Sequence, residues 1–305
     1  SSNNNNNSNN DQDVVVGRSK RGSMIARATV VTAKELFCAV DRSDYLKLGR
    51  LLAEPALNVN VRNCFDETPL LRAVGYGSVQ AKRCACMLIE RGADVNAASA
   101  CGYTPLHMVC GGMGEESEAR VDLCKMLILM KAKVNAMSDV EETPLHMAAF
   151  RGRLPLVQLL IESGAEPNRK EREGFTPLFY AAMCSATKCL DYFFSLGADI
   201  NATTLLGERL LHAVLRTRSG TLKCLVYLMK RGATLGCRRC IKKEKCLAVV
   251  DTRLEIIHGC LDANGKPIPE EVERLEARMT SFPDYNNDRW GLPELAKAAA
   301  PMEEK

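Results

Sequence analysis

A three-residue segment, Thr-Pro-Leu, recurs at Thr68, Thr104, Thr143 and Thr176, and a worn copy, Arg209-Leu210-Leu211-His212, follows. The steps between first residues are 36, 39, 33 and 33. A unit this short cannot bury an apolar face alone, so a chain built from such copies must stack them. The stretch Thr143 to Asn168 shows the unit most clearly. Thr143 can cap a helix, and Pro144 suits its first turn, where the missing N–H costs nothing. Leu145, Ala148 and Ala149 recur at helical spacing, and Gly152 breaks the helix. Leu156 to Ile161 supplies a second, more apolar helix, and Gly164 stands where a left-handed residue ends it.

The turn that closes each copy recurs as well: Gly92-Ala93-Asp94-Val95-Asn96, Gly164-Ala165-Glu166-Pro167-Asn168 and Gly197-Ala198-Asp199-Ile200-Asn201, with looser forms at Lys131–Asn135 and Gly232–Leu235. Phase, helix start, mid-repeat glycine and closing turn together resemble the ankyrin repeat, whose period is ~33. The resemblance implies an all-α ankyrin-repeat solenoid: helix-turn-helix repeats joined by short β-hairpin loops, plus a helical C-terminal extension. It implies a protein or peptide partner on the concave face, but not which partner.

Six repeats are expected, at 32–63, 64–98, 99–136, 137–169, 170–202 and 203–237. The first lacks Thr-Pro and reads as a cap, with helices over Ala33 to Val40 and Tyr45 to Leu52 and a polar face of Lys34, Glu35, Asp41 and Arg42. The second carries three extra residues near Tyr76 to Ala81, and the third six extra in Gly111 to Glu118; both read as exposed loops between the paired helices. Residues 1–31, opening on an asparagine-rich run, read as a disordered tail. Residues 238–305 do not continue the repeat. They read as a helix through Cys246, Val250 and Ile257, a turn at Asp262 to Pro267 and a helix over Glu270 to Met279, covering the end of the stack.

The formal net charge of +4 on 78 charged residues gives no case for nucleic-acid binding. No signal-peptide pattern appears, and the apolar runs fall far short of the ~20 residues that cross a bilayer. The fourteen cysteines are scattered, several at helix-interior positions such as Cys124, Cys189 and Cys224, which suits reduced thiols in a cytoplasmic or nuclear monomer. There is no phosphate loop, nucleophile elbow or HExxH motif, so no enzyme and no cofactor are expected. One metal-like group stands out: Cys237 and Cys240 with His258 and Cys260 have zinc-type residues but a tight second pair, and small buried thiols are the competing reading.

The resemblance also assigns roles. His107, His146 and His212 fall on the family's structural histidine, one repeat apart, where they cannot converge on one ligand. Asn96, Asn135, Asn168 and Asn201 are similar to residues that an asparaginyl hydroxylase modifies in ankyrin proteins; their plainer role is to hold the turn. Carried over position by position, the concave face takes Phe65, Tyr103, Val140, Arg172, Phe175 and Leu205 from the hairpin tips, and Tyr76, Phe150, Arg151, Met183 and Arg216 from the first helices. Phe175 in particular could instead pack between hairpins. Leu235 to Arg239 and Gly291 to Leu295 look similar to the halves of a helical box that recruits a ubiquitin ligase, which offers an adaptor as the alternative reading.

Overall fold

The computed structural model describes residues 33–113, 117–216, 221–235, 259–262 and 264–281. A helix at 33–41 (α1) is followed by α2 (Tyr45–Leu52), α3 (Pro69–Gly75), α4 (Val79–Glu90), α5 (Pro105–Gly111) and α6 (Glu118–Leu129). Then come α7 (Pro144–Phe150), α8 (Leu154–Glu162), α9 (Pro177–Met183), α10 (Thr187–Ser195), α11 (Leu210–Arg216), α12 (Leu222–Lys230) and α13 (Pro269–Ser281). The helices α3, α5, α7, α9 and α11 stack as an inner row, and α2, α4, α6, α8 and α10 as an outer row.

The inner helices start where the threonines stand. Thr68, Thr104, Thr143 and Thr176 are extended N-caps with proline in the first turn. Leu106, Val109 and Cys110 of α5, and Leu145, Ala148 and Ala149 of α7, are fully buried between neighbours. The small alanines allow the close approach, and Arg120, Phe179 and Phe193 are the bulkiest fully buried side chains of the stack.

Each repeat is joined to the next by a five-residue hairpin. The first N–H donates to the last carbonyl: Asn63 to Glu67 (3.0 Å), Ser99 to Tyr103 (2.9 Å), Ser138 to Glu142 (2.9 Å), Glu171 to Phe175 (3.0 Å) and Thr204 to Glu208 (3.0 Å). The fourth residue is left-handed in all five, at Asp66, Gly102, Glu141, Gly174 and Gly207. Neighbouring tips are themselves bonded, by Asp139 N–H to Cys101 O (3.1 Å), Arg172 N–H to Val140 O (3.2 Å) and Leu205 N–H to Glu173 O (3.2 Å).

The turn expected at Asp262 to Pro267 has the geometry of the repeat hairpins. Asp262 N–H donates to Lys266 O (2.8 Å), Gly265 is left-handed, and the Asp262 carboxylate accepts from Asn264 and Lys266 N–H (both 2.8 Å). This is the geometry of the first hairpin, where Asn63 Oδ1 accepts from Phe65 and Glu67 N–H (both 2.9 Å). The hairpin leads into α13, which packs on α12. The 1–31 tail and the first expected helix beyond 238 lie outside the described residues, apart from its last few positions. Among the described residues no helix is long and apolar enough to cross a membrane.

Candidate functional site: the groove along the inner helices

Two ladders of polar side chains fix the repeats to one another. Thr104 N–H donates to His107 Nδ1 (3.1 Å), so the ring carries its proton on Nε2 and donates it to the Glu142 carbonyl of the next hairpin (3.0 Å). His146 does the same between Thr143 N–H (3.1 Å) and the Phe175 carbonyl (3.2 Å). His212 accepts from Arg209 N–H (3.2 Å), and its Nε2 has no partner among the described residues. Burial disfavours the charged imidazolium. It lowers the pKa of His107 and takes His146 and His212 down to about 4.

The asparagines do not close their own turns, as expected from sequence; they reach the following repeat. Asn96 donates to Lys131 O (3.2 Å) and accepts from Lys133 N–H (2.8 Å). Asn135 donates to Gly164 O (2.9 Å) and accepts from Glu166 N–H (3.1 Å), and Asn201 accepts from Thr234 N–H (3.1 Å). Asn60, which the sequence reading overlooked, bridges to Gly92 O (3.2 Å) and Asp94 N–H (2.8 Å). Asn168 is exposed at the equivalent place. An enzyme modifying Asn96 or Asn135 would have to break these bridges first.

The insertion after α5 is held from beneath. Arg120, 1% exposed, donates to Val109 O (2.9 Å) and Met113 O (2.6 Å). Arg153, also buried, donates to Cys110 O (2.8 Å) and Gly112 O (2.7 Å). Two guanidiniums thus cap the carbonyls at the negative end of α5. Arg151 adds a bond from the surface, Nε to Gly111 O (2.8 Å). Gly111, Gly112 and Met113 therefore form a fixed wall.

Above that wall the groove holds two adjoining cavities. The smaller, about 380 Å³, lies between Tyr76, Tyr103, Met108, Met113, Met147 and Arg151, with Glu67 and Arg72 at its edge. The larger, about 590 Å³, lies between Tyr103, Val140, Met147, Phe150, Phe175, Tyr180 and Met183, with Glu142, Glu171, Glu173 and Arg151. Glu142 spans three repeats: its carboxylate accepts from Tyr103 Oη (2.8 Å) and Tyr180 Oη (2.5 Å). Burial and this carboxylate raise the Tyr103 pKa to about 12 and push Tyr180 up as well. Both hydroxyls stay neutral donors at neutral pH. Tyr180 packs edge-on against Phe150 and His146.

Of the residues singled out from sequence, Tyr76, Tyr103, Val140, Phe150, Arg151 and Met183 meet around the two cavities. Phe175 lines the larger one but is only 5% exposed; its ring packs edge-on against Phe179, so it is a packing residue. Phe65 and Leu205 are exposed on hairpin tips outside both cavities, and Arg172 reaches back to the Asp139 carbonyl. The Arg216 side chain lies outside the described residues, as do Cys237, Cys240, His258 and both halves of the ligase-type box except Leu235. Cys260 is buried and donates to Glu271 O (3.7 Å). No group of three or more metal-binding side chains is gathered among the described residues. The cysteines described are free thiols. Glu142, Tyr180, Met147 and Glu171 were missed from sequence; the signal that could have found Glu142 is that it stands just before its Thr-Pro-Leu, as the named Tyr103 and Phe175 do.

Family comparison agrees with this architecture. A family model of three Ankyrin repeats matches residues 115–204, and a single Ankyrin repeat matches 65–100. The chain carries ankyrin repeats over these spans. The matched spans begin at the tip of the first hairpin and end at the start of the fifth; Tyr103, Met108 and Met113 of the cavities stand between the two spans. Ankyrin repeats generally mediate protein–protein interactions and are typically non-catalytic.

Proposed function

We propose that this ankyrin chain is a non-enzymatic recognition module, a monomer of the cytoplasm or nucleus, that seats a protein or peptide segment in the groove along α3, α5, α7 and α9. The observation that carries this reading is the pair of adjoining cavities on one face, walled by aromatic and methionine side chains. Aromatic, arginine and methionine side chains are the groups enriched at interfaces, and Phe150, 38% exposed, stands at the rim. A stack locked by histidine and asparagine bridges presents these groups with little ordering left to do on docking, which favours binding.

The test compares capture from cell extract by the intact chain and by a Val140→Ala, Phe150→Ala, Met183→Ala variant, with thermal melts of both. Loss of the captured protein by a variant that melts normally is the expected result. Undiminished capture refutes the groove as the site. A control, Leu129→Ala at the exposed end of outer helix α6, should leave capture unchanged.

A further inference from the structure

We infer that the larger cavity receives a cationic side chain, lysine or arginine, of the bound segment; this rests on the groove reading above and names the chemistry of its central subsite. The cavity lining carries three carboxylates, Glu142, Glu171 and Glu173, against one guanidinium, Arg151. The chain as a whole is positive, at +4, so this site runs against the sign of the molecule.

Two of these carboxylates, Glu142 and Glu171, bond neutral donors. The Glu142 hydrogen bonds are to two tyrosine hydroxyls, which are neutral donors. Glu171 accepts from the backbone N–H groups of Phe175 (2.9 Å) and Glu173 (3.0 Å), also neutral. Such bonds orient a carboxylate but bring no positive charge to it. Arg151 is committed on the other side, to Gly111 O and the Met113 sulfur, and Met113 lines the neighbouring cavity.

The aromatic walls add to the same preference. Phe150, Tyr180 and Tyr103 border the cavity, and the electron-rich face of an aromatic ring attracts a cation. A lysine or arginine stem also buries its methylenes against apolar walls such as Val140 and Met183. A neutral apolar side chain would cover Glu142 and Glu171 without bringing them a counter-charge, and an acidic one would be repelled.

The probes are four synthetic pools of eleven-residue peptides with degenerate flanks and a fixed centre: lysine, arginine, norleucine or glutamate. Each is passed over the immobilised intact chain at about 0.15 M salt, where the Debye length of ~8 Å suppresses long-range attraction. Retention of the lysine or arginine pool at least tenfold above norleucine, with glutamate lowest, is expected, and the lysine-to-arginine ratio identifies which cation fits. The preference should collapse in Glu142→Gln, which keeps the side-chain shape, and weaken in Tyr180→Phe, which keeps the ring; melting curves show that both fold. Equal retention of the norleucine pool, or an unchanged preference in Glu142→Gln, overturns this inference while leaving the groove reading standing. Retention of no pool overturns both.

Discussion

The third and fourth repeats carry nearly the same inner helix, PLHMVCG in α5 and PLHMAAF in α7, yet they end it in different ways. After α7 the backbone closes on itself: Gly152 is left-handed, its N–H meets Ala149 O (3.0 Å), and Arg153 N–H meets Ala148 O (3.1 Å). The joints after α1 and α9 are built alike, with Ser43 and Ser185 in the left-handed place. After α5 the six extra residues remove that turn, and the guanidiniums of Arg120 and Arg153 take over the carbonyls. The compact joint costs one strained backbone position. The extended joint requires burying two charges, and what it gains is a rigid wall beside the groove.

The largest effect should come from breaking the extended joint. Arg120→Ala removes two charge-assisted bonds and leaves Val109 O only the longer bond from Arg153 (3.3 Å), a loss of about 3 kcal/mol in urea denaturation. Arg153→Ala should cost a similar amount, and the double variant less than the sum, because both guanidiniums act on the same helix end. A loss under ~1 kcal/mol for Arg120→Ala would mean that the guanidiniums do not hold the wall.

Acidification should act on what the two repeats share. The histidine pKa values are depressed on folding, so below pH ~6.5 the unfolded chain takes up protons that the folded chain refuses. Stability is fully present above that point and falls as pH drops toward the folded value of about 4 for His146 and His212. The slope is roughly 1 kcal/mol per pH unit for each buried ring, or roughly 2 kcal/mol each by pH 5. His146→Gln keeps an acceptor at the capping position and should flatten the slope by one ring's share. An unchanged slope would show that His146 is protonated in the folded chain.

Smaller effects belong to the compact joint. Gly152→Ala places a side chain on a left-handed backbone and 3.1 Å from Ala186 Cβ, and should cost about 1 kcal/mol. Ser185→Gly, at the same place after α9, relieves strain and should change stability by at most a few tenths of a kcal/mol in either direction, because the freer glycine chain offsets the relief. Thermal melts of both variants sharpen the comparison between joints that differ by a single residue type.

The inner helices were legible because Thr-Pro fixes a start by local chemistry, and the first cap's helices fell where the apolar spacing put them. The insertion was placed correctly but read as a loop, since Arg120 looks like an ordinary charged helix residue until Val109 and Met113 are seen beside it. The role of Glu142 was hidden for the same reason: its partners, Tyr103 and Tyr180, stand 39 and 38 residues away. The turn at Asp262 to Pro267 was legible, but not its likeness to the repeat hairpins, because no Thr-Pro-Leu marks it; an aspartate and a left-handed glycine carry its geometry. Individual groove residues were half legible, because sequence position gives the face but not whether a ring such as Phe175 points into it or beneath it.

The most direct measurement of the central claim, that the inner-helix face is the one partners meet, is site-specific photo-crosslinking. A benzophenone amino acid is placed at Phe150 in one sample and at Leu129 on the outer row in another, and each is irradiated in the same cell extract. A discrete adduct from position 150 and none from position 129 is the predicted result. Adducts of equal yield from both positions, or from 129 alone, would contradict it.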